Sequence, residues 1–389
     1  MEPDPHPSSR QRRRLPPPAP LLLGALLLVV LLWVPLSSLL RMAPMPMGPM
    51  AMQPWVQQSA QPPLVDPLER HPEMLRQGVA MQVGMHLENI HSLSLREKTY
   101  TADGRFWLAW PEELQALLER EGITPLQLLD FINQVDDWDG DLTPDQPAPV
   151  LRNGRWRQSF HFSRRFYLHR INLSRYPFNP LDLLLTLQVS PAYASLAGRP
   201  VLLLPVRDQR GLIGEYANLE GYELVSAQLR PQVRRFRTDY GLGDSVRTSQ
   251  LEVVLHYRHS FWPAFIADVL PLVIVLMVVL ISPYLEGSLA DVRIAIPSTA
   301  LLTLVFLQQN YRSELPPSPY LTYLDRLYVV SYLICVMLFV LFAWTSNIYE
   351  RTPPEQREAL VRRLDRYDRN FQILALSFLL IVSVETWIH

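Results

Sequence analysis

Cysteine is almost absent from this sequence. Cys335 is the only one in 389 residues and sits inside an apolar run. A disulfide within the chain and a cysteine zinc site are therefore both excluded. An excess of charge of one sign is also lacking. The formal net charge is −1, which argues against nucleic acid as a partner. No HExxH, GxSxG or Walker-type loop occurs, and nothing in the pattern points to an enzyme. The aspartate-rich stretch DDWDGDLTPD, residues 136–145, is not an EF-hand, because Gly140 is misplaced and the closing Glu is missing. It reads as a solvated loop, with a looser Ca²⁺ site as the alternative. No cofactor and no resident metal are expected.

What the chain has in quantity is apolar runs. They cover residues 21–40, 264–282, 290–311, 327–344 and 371–384. The last four are candidate bilayer spans, and they mark an integral membrane protein. The first run comes after a basic, Pro-rich segment, residues 1–20, that contains RQRRR. It reads as a signal sequence or an uncleaved membrane anchor, and either one exports the domain C-terminal to it. Residues 41–75 form a Met- and Pro-rich linker without apolar periodicity.

Arginine sets the expected topology. The segment 346–370 holds six of them, at 351, 357, 362, 363, 366 and 369, whereas the connection RSELPPSPYLTYLDR has two basic residues. The first is expected in the cytoplasm and the second outside. Residues 76–262 are then extracytoplasmic. There, alternating stretches such as VAMQVGMHL, TADGRFWLAW, LDLLLTLQV and LEVVLHY, separated by turn residues, predict an antiparallel β-sandwich that begins near Val79. Residues 263–345 hold three membrane helices, 346–370 a cytoplasmic loop, and 371–389 a fourth helix.

The run ADVRIAIPSTALLTLVFLQQNY, residues 290–311, carries polar groups at intervals. At about 100° per residue, Asp291, Ala295, Thr299, Leu302, Phe306 and Gln309 fall in one stripe, with Ser298 at its edge. Such a stripe, with an acid at one mouth, hydroxyls within and bulky apolar residues above, reads as the wall of a pore. The alternative is a helix whose hydroxyls bond to its neighbours inside a bundle. Arg293 lies about 200° round from Asp291, away from the stripe. Pro297 removes one helical bond and is expected to kink or loosen the helix.

The order of these segments, with ADGRFWLAW, INLSRYPFNPLDL, FIADVLPLVIVLMVVL and ELPPSPYLTYLDRLYVVSYL, resembles the pentameric ligand-gated ion channels. It is most similar to their prokaryotic members, which lack the paired cysteines of the animal receptors. The likeness covers roughly residues 79–389. It implies five identical subunits around a central pore lined by residues 291–311, in a bacterial inner or plasma membrane. The expected partners are other copies of the chain, membrane lipids, inorganic cations and a small-molecule or proton agonist. Rings of Leu302 and Phe306 would form the gate, and a ring of Asp291 would favour cations.

The resemblance also implies a coupling region where the domains meet, at Tyr176, Pro177, Phe178, Asn179, Arg258 and Pro319. The turn Ser94–Lys98 is expected to meet the membrane face beside it. The family's loop usually ends in Asp where this chain has Asn179. Asn keeps hydrogen bonding but loses attraction to a pre-membrane arginine, expected at Arg258 or a neighbour. Agonists of the family bind under a hairpin, here residues 234–249. Phe236 and Tyr240 would cap an aromatic box there, or else pack the sandwich. Trp138, Trp156 and Tyr222 are further candidates. His256 and His259 suit a proton sensor, or are exposed strand residues. Asp268 is either interfacial or a buried partner. Two other functions stay open: a membrane-anchored ligand sensor that does not conduct, and a transporter subunit.

Overall fold

The computed structural model describes residues 64–135, 141–169, 171–206, 211–236, 246–285 and 289–388. The signal or anchor segment 21–40, the linker up to residue 63, Trp138 and Tyr240 lie outside the described residues. Described structure begins within the expected linker. Leu64–Pro67 forms strand β1, and Pro72–Gln77 a short helix, α1. These pieces show no periodicity because each is only a few residues long and each contains a proline.

Two sheets pack face to face. The first joins β1, β12 (Tyr222–Arg235), β13 (Arg247–His259), β8 (Leu181–Val189) and β4 (Leu129–Phe131), in that order. The second joins β5 (Asp141–Pro144), β7 (Arg155–Tyr167), β3 (Thr99–Trp110), β2 (Val79–Ser94), β10 (Arg199–Pro205) and β9 (Ser195–Leu196). On its flanks β11 (Ile213–Tyr216) pairs with β2, and β6 (Val150–Arg152) with β7. Alternation decides the faces. Val79, Met81, Val83, Met85 and Leu87 of β2 are buried, as are Leu251, Val253, Leu255 and Tyr257 of β13, and all belong to one core. Gly84 has a packing reason: a Cβ there would lie 2.1 Å from the Trp107 ring on the paired strand.

The sandwich is not wholly antiparallel, contrary to the expectation from alternation alone. β10 and β11 run parallel to β2. Each reaches β2 from a connection rather than a tight hairpin, so no two-residue turn imposes antiparallel pairing.

Beyond the sandwich lie four helices, each long and apolar enough to cross a bilayer. They are α3 (Phe261–Tyr284), α4 (Ala290–Glu314), α5 (Tyr323–Arg351) and α6 (Pro354–Ile388). (Glu112–Glu121, in the sandwich, is α2.) Helix α3 contains a π turn at Phe265–Val269. Pro271 has no N–H to give the Ala267 carbonyl, so the turn before it widens. Helix α4 runs unbroken through Pro297, whose ring is buried. The segment 346–370, expected as a loop, is helical apart from a break at Thr352 and Pro353. Its Glu, Arg, Leu and Ala residues are good helix formers, and only the Pro353–Pro354 pair stops the chain. The bundle core joins Leu272, Leu276 and Val279 of α3 to Leu304 of α4, to Leu324, Val330, Ile334 and Leu338 of α5, and to Phe371 and Ala375 of α6. Helix α5 is the most buried of the four and α4 the least.

Candidate functional site

Helix α4 has two faces. Arg293, Pro297, Ala300, Leu304 and Tyr311 are buried, and all five lie between about 180° and 240° round from Asp291. They pack on the rest of the bundle. Asp291, Ala295, Ser298, Thr299, Leu302, Phe306 and Gln309 are exposed on the opposite side. Leu302 is 57% and Phe306 62% exposed, so both side chains are largely open on this face of the helix. The Ser298 hydroxyl is spent on its own helix, donating to the carbonyls of Ala295 (2.8 Å) and Ile294 (3.2 Å). Thr303 does the same with the Thr299 carbonyl, at 3.0 Å. These two hydroxyls thus bond their own helix, whereas Gln308 of the same helix accepts from the Tyr332 hydroxyl of α5 at 2.6 Å.

The two charges at the start of α4 are handled oppositely. Asp291 is exposed. The Arg293 side chain is 6% exposed and its guanidinium pairs with Asp368 of α6, itself 3% exposed. The same guanidinium lies 4.4 Å over the Phe342 ring of α5. Arg293 is thus held inside the bundle by two other helices, and the acid Asp291 is the one of the two that is exposed.

At the other end of α4 the β-domain meets the helices through residues 171–180. The peptide Tyr176–Pro177 is cis. The Tyr176 ring stacks on Tyr311, and its hydroxyl makes a long 3.4 Å bond to Asp268, which lies in the π turn of α3. Burial raises the Tyr176 phenol well above its ordinary pKa, and the carboxylates of Asp268 and Glu314 push it further. It therefore stays a donor. Phe178 stacks on Phe261, centroids 5.0 Å apart. The Leu173 amide donates to the Tyr320 hydroxyl (2.9 Å), and the Tyr323 amide to the Ser174 carbonyl (2.8 Å). One loop thus contacts α3, α4, α5 and the α4–α5 connection.

Two expected members of this region are placed differently. Arg258 pairs with Glu223 at 2.8 Å, both exposed at the ends of the paired strands β12 and β13. Asn179 is buried and its amide reaches only the Pro180 carbonyl, at 3.4 Å. With no charge to attract an arginine, the loop leaves Arg258 to the solvated carboxylate across its own hairpin. Pro319 is exposed.

The strongest polar cluster here was not singled out from the sequence. Asp325, 1% exposed, accepts from the Arg312 guanidinium at 2.9 and 2.6 Å. It also accepts from the Thr322 amide and hydroxyl, both at 2.9 Å, and from the Tyr311 hydroxyl. Thr322 and Asp325 form a capping box at the start of α5. That signal stood in the sequence, as Thr-x-x-Asp just before an apolar run.

The ligand candidates are scattered. Phe236 is buried, and the Arg234 guanidinium already covers its ring at 4.9 Å. Trp156 donates to Glu112 at 2.7 Å. The Tyr222 ring lies 4.4 Å from that of His259, and burial pushes its phenol up to about 12. His256 lies 2.6 Å from Asp182. Tyr176, Tyr222, His259 and Glu314 share an open cleft of about 920 Å³ with residues 89–96, the far end of β2 and its turn. Residues 141–144 of the aspartate-rich stretch are strand β5. Among the described residues no three His, Cys, Asp or Glu side chains form a group that could hold a metal.

Comparison with protein-family models gives no match, and comparison with curated proteins gives none either.

Proposed function

We propose that the protein is a ligand-gated ion channel of five identical subunits, with α4 lining the pore. One observation carries this reading. The face of α4 that bears Asp291, Thr299, Leu302, Phe306 and Gln309 is exposed along its length, while the opposite face is packed into the bundle. A face with an acid and two large apolar residues suits neither lipid nor a subunit core. Five copies about an axis turn it into stacked rings with water at both ends. On this reading the Asp291 ring favours cations, and Leu302 and Phe306 make the dry neck of the closed state. The loop 171–180 transmits ligand binding from an extracytoplasmic β-domain. The arginines of residues 351–369 support that orientation.

Native mass measurement in mild detergent, then single-channel recording of reconstituted protein, tests the proposal. A five-fold mass with unitary currents is expected. A stable monomer or dimer without current would return the protein to the sensor or transporter readings.

A further inference from the structure

We propose that the aromatic cluster at the head of α3 is a phospholipid-binding surface, seated at the headgroup boundary of the bilayer. Phe261 is stacked between two rings, Phe178 at 5.0 Å and Phe265 at 5.9 Å. Trp262 meets Phe261 and Phe265 edge-on, at 5.5 and 6.3 Å. These rings hold one another in place, yet Trp262 remains 69% and Phe261 53% exposed. The open rings are continuous with the outward residues Ile266, Ile274, Met277 and Ile281 of the same helix. A spanning helix presents such residues to acyl chains.

The surface commits to lipid by its chemistry. Trp262 has an apolar body and an indole N–H that meets no acceptor among the described residues. An amphipathic ring at the end of a spanning helix belongs where hydrocarbon gives way to ester carbonyls and phosphate, which supply both the apolar contact and the missing acceptor. A second copy of the chain is the rival occupant, and it would have to bury the indole donor against protein. Phe178 lies one ring behind this surface, so the loop 171–180 is one aromatic contact from the bound lipid.

The test uses the full chain in nanodiscs of phosphatidylcholine carrying bromine on the acyl chain near the glycerol. The protein has nine tryptophans, so the quantity read is the difference between wild type and Trp262→Phe. A quenched emission component present in wild type and lost in Trp262→Phe is expected. It should weaken when the bromine is moved to the far end of the chain. Equal quenching of the two proteins would mean that protein covers Trp262, and the proposal falls. A component quenched more by deep than by shallow bromine would also overturn it, since the ring would not sit at the boundary. Trp262→Tyr, which keeps a ring and a donor, gives the same subtraction if the Phe variant does not assemble.

Discussion

Tyr176 lies flat against Tyr311, their ring centroids 6.1 Å apart and their planes 18° from parallel. Tyr311 in turn stacks on Tyr328 at 5.5 Å and 9°. The first ring belongs to the β-domain loop, the second to the C-terminal end of α4, the third to α5. A displacement of the loop therefore reaches α4 through a ring contact rather than through the backbone.

Tyr176→Ala removes the stack and the bond to Asp268. Each aromatic pair contributes about 1 kcal/mol beyond its buried area. The proposed channel should then need a different agonist concentration for half-maximal opening, with unitary conductance unchanged because no pore residue is altered. Dose–response and single-channel records made on the same patches check both halves. An unchanged dose–response would show that the stack carries no coupling.

Asp325 should matter more for assembly than for conduction. Asp325→Asn leaves the Arg312 guanidinium beside a neutral, buried amide, and breaking such a pair costs about 3 kcal/mol. A lower thermal midpoint in detergent is expected. Arg312→Gln combined with Asp325→Asn should recover part of the loss, because no charge is then stranded. Additive losses in the double variant would show that Asp325 acts mainly through its cap on α5.

The two architectural classes were legible because burial imposes period. Val79, Met81, Val83 and Met85 alternate as one buried face of a strand must, and the four spans are long apolar runs. The exposed stripe of α4 came from the helical angle alone. What escaped was set by contacts between segments distant in sequence. Nothing near residue 293 announces Asp368, 75 positions later. Nothing in Asn179 shows that Arg258 turns to Glu223 instead. The parallel pairing of β10 with β2 depends on a path between sheets that composition does not encode. The segment 346–370 is placed between two spans by its arginines, which say nothing of its backbone; that it is largely helical follows from its Glu, Arg, Leu and Ala residues.

The β-domain should be labile in base. Burial pushes Tyr222 and Tyr257 up to about 12, whereas an unfolded tyrosine ionises near ~10. The folded state thus holds these protons more tightly. The stability they contribute is fully present below pH ~10 and is lost as pH rises towards ~12. Thermal transitions of the sandwich, monitored by near-ultraviolet dichroism, should fall across that window. Tyr257→Phe loses a 2.9 Å bond to the Ala217 carbonyl. It should start less stable at neutral pH and fall less steeply. A transition that falls as steeply in Tyr257→Phe as in wild type would remove this tyrosine from the account.

Leu302 tests the gate. It is exposed in the subunit, and in a ring of five it would line an apolar neck that water leaves. Leu302→Ser should wet the neck and raise spontaneous opening, read as current before agonist is added. A variant that assembles and stays shut would move the gate to Phe306.

Selectivity depends on which of two charges faces the axis, and the packing of α4 makes that testable away from the pore. Asp368 and Phe342 hold Arg293 inside the bundle, so wild type should pass cations under the influence of Asp291 alone. Asp368→Asn removes the anion that holds Arg293. A buried guanidinium without a carboxylate is unfavourable by several kcal/mol, and its nearest escape is round the helix towards the water at the mouth. There it would sit beside Asp291 and offset its charge. The reversal potential in a salt gradient should therefore move towards the chloride value in Asp368→Asn, although residue 368 lies on a different helix from the pore. Arg293→Gln with Asp368→Asn removes both charges of the pair and should restore the cation preference, whereas Asp291→Ala should weaken it directly. If Asp368→Asn assembles and its reversal potential equals that of wild type, Arg293 stays in the bundle without its partner. Asp368 would then have no part in the proposed selectivity.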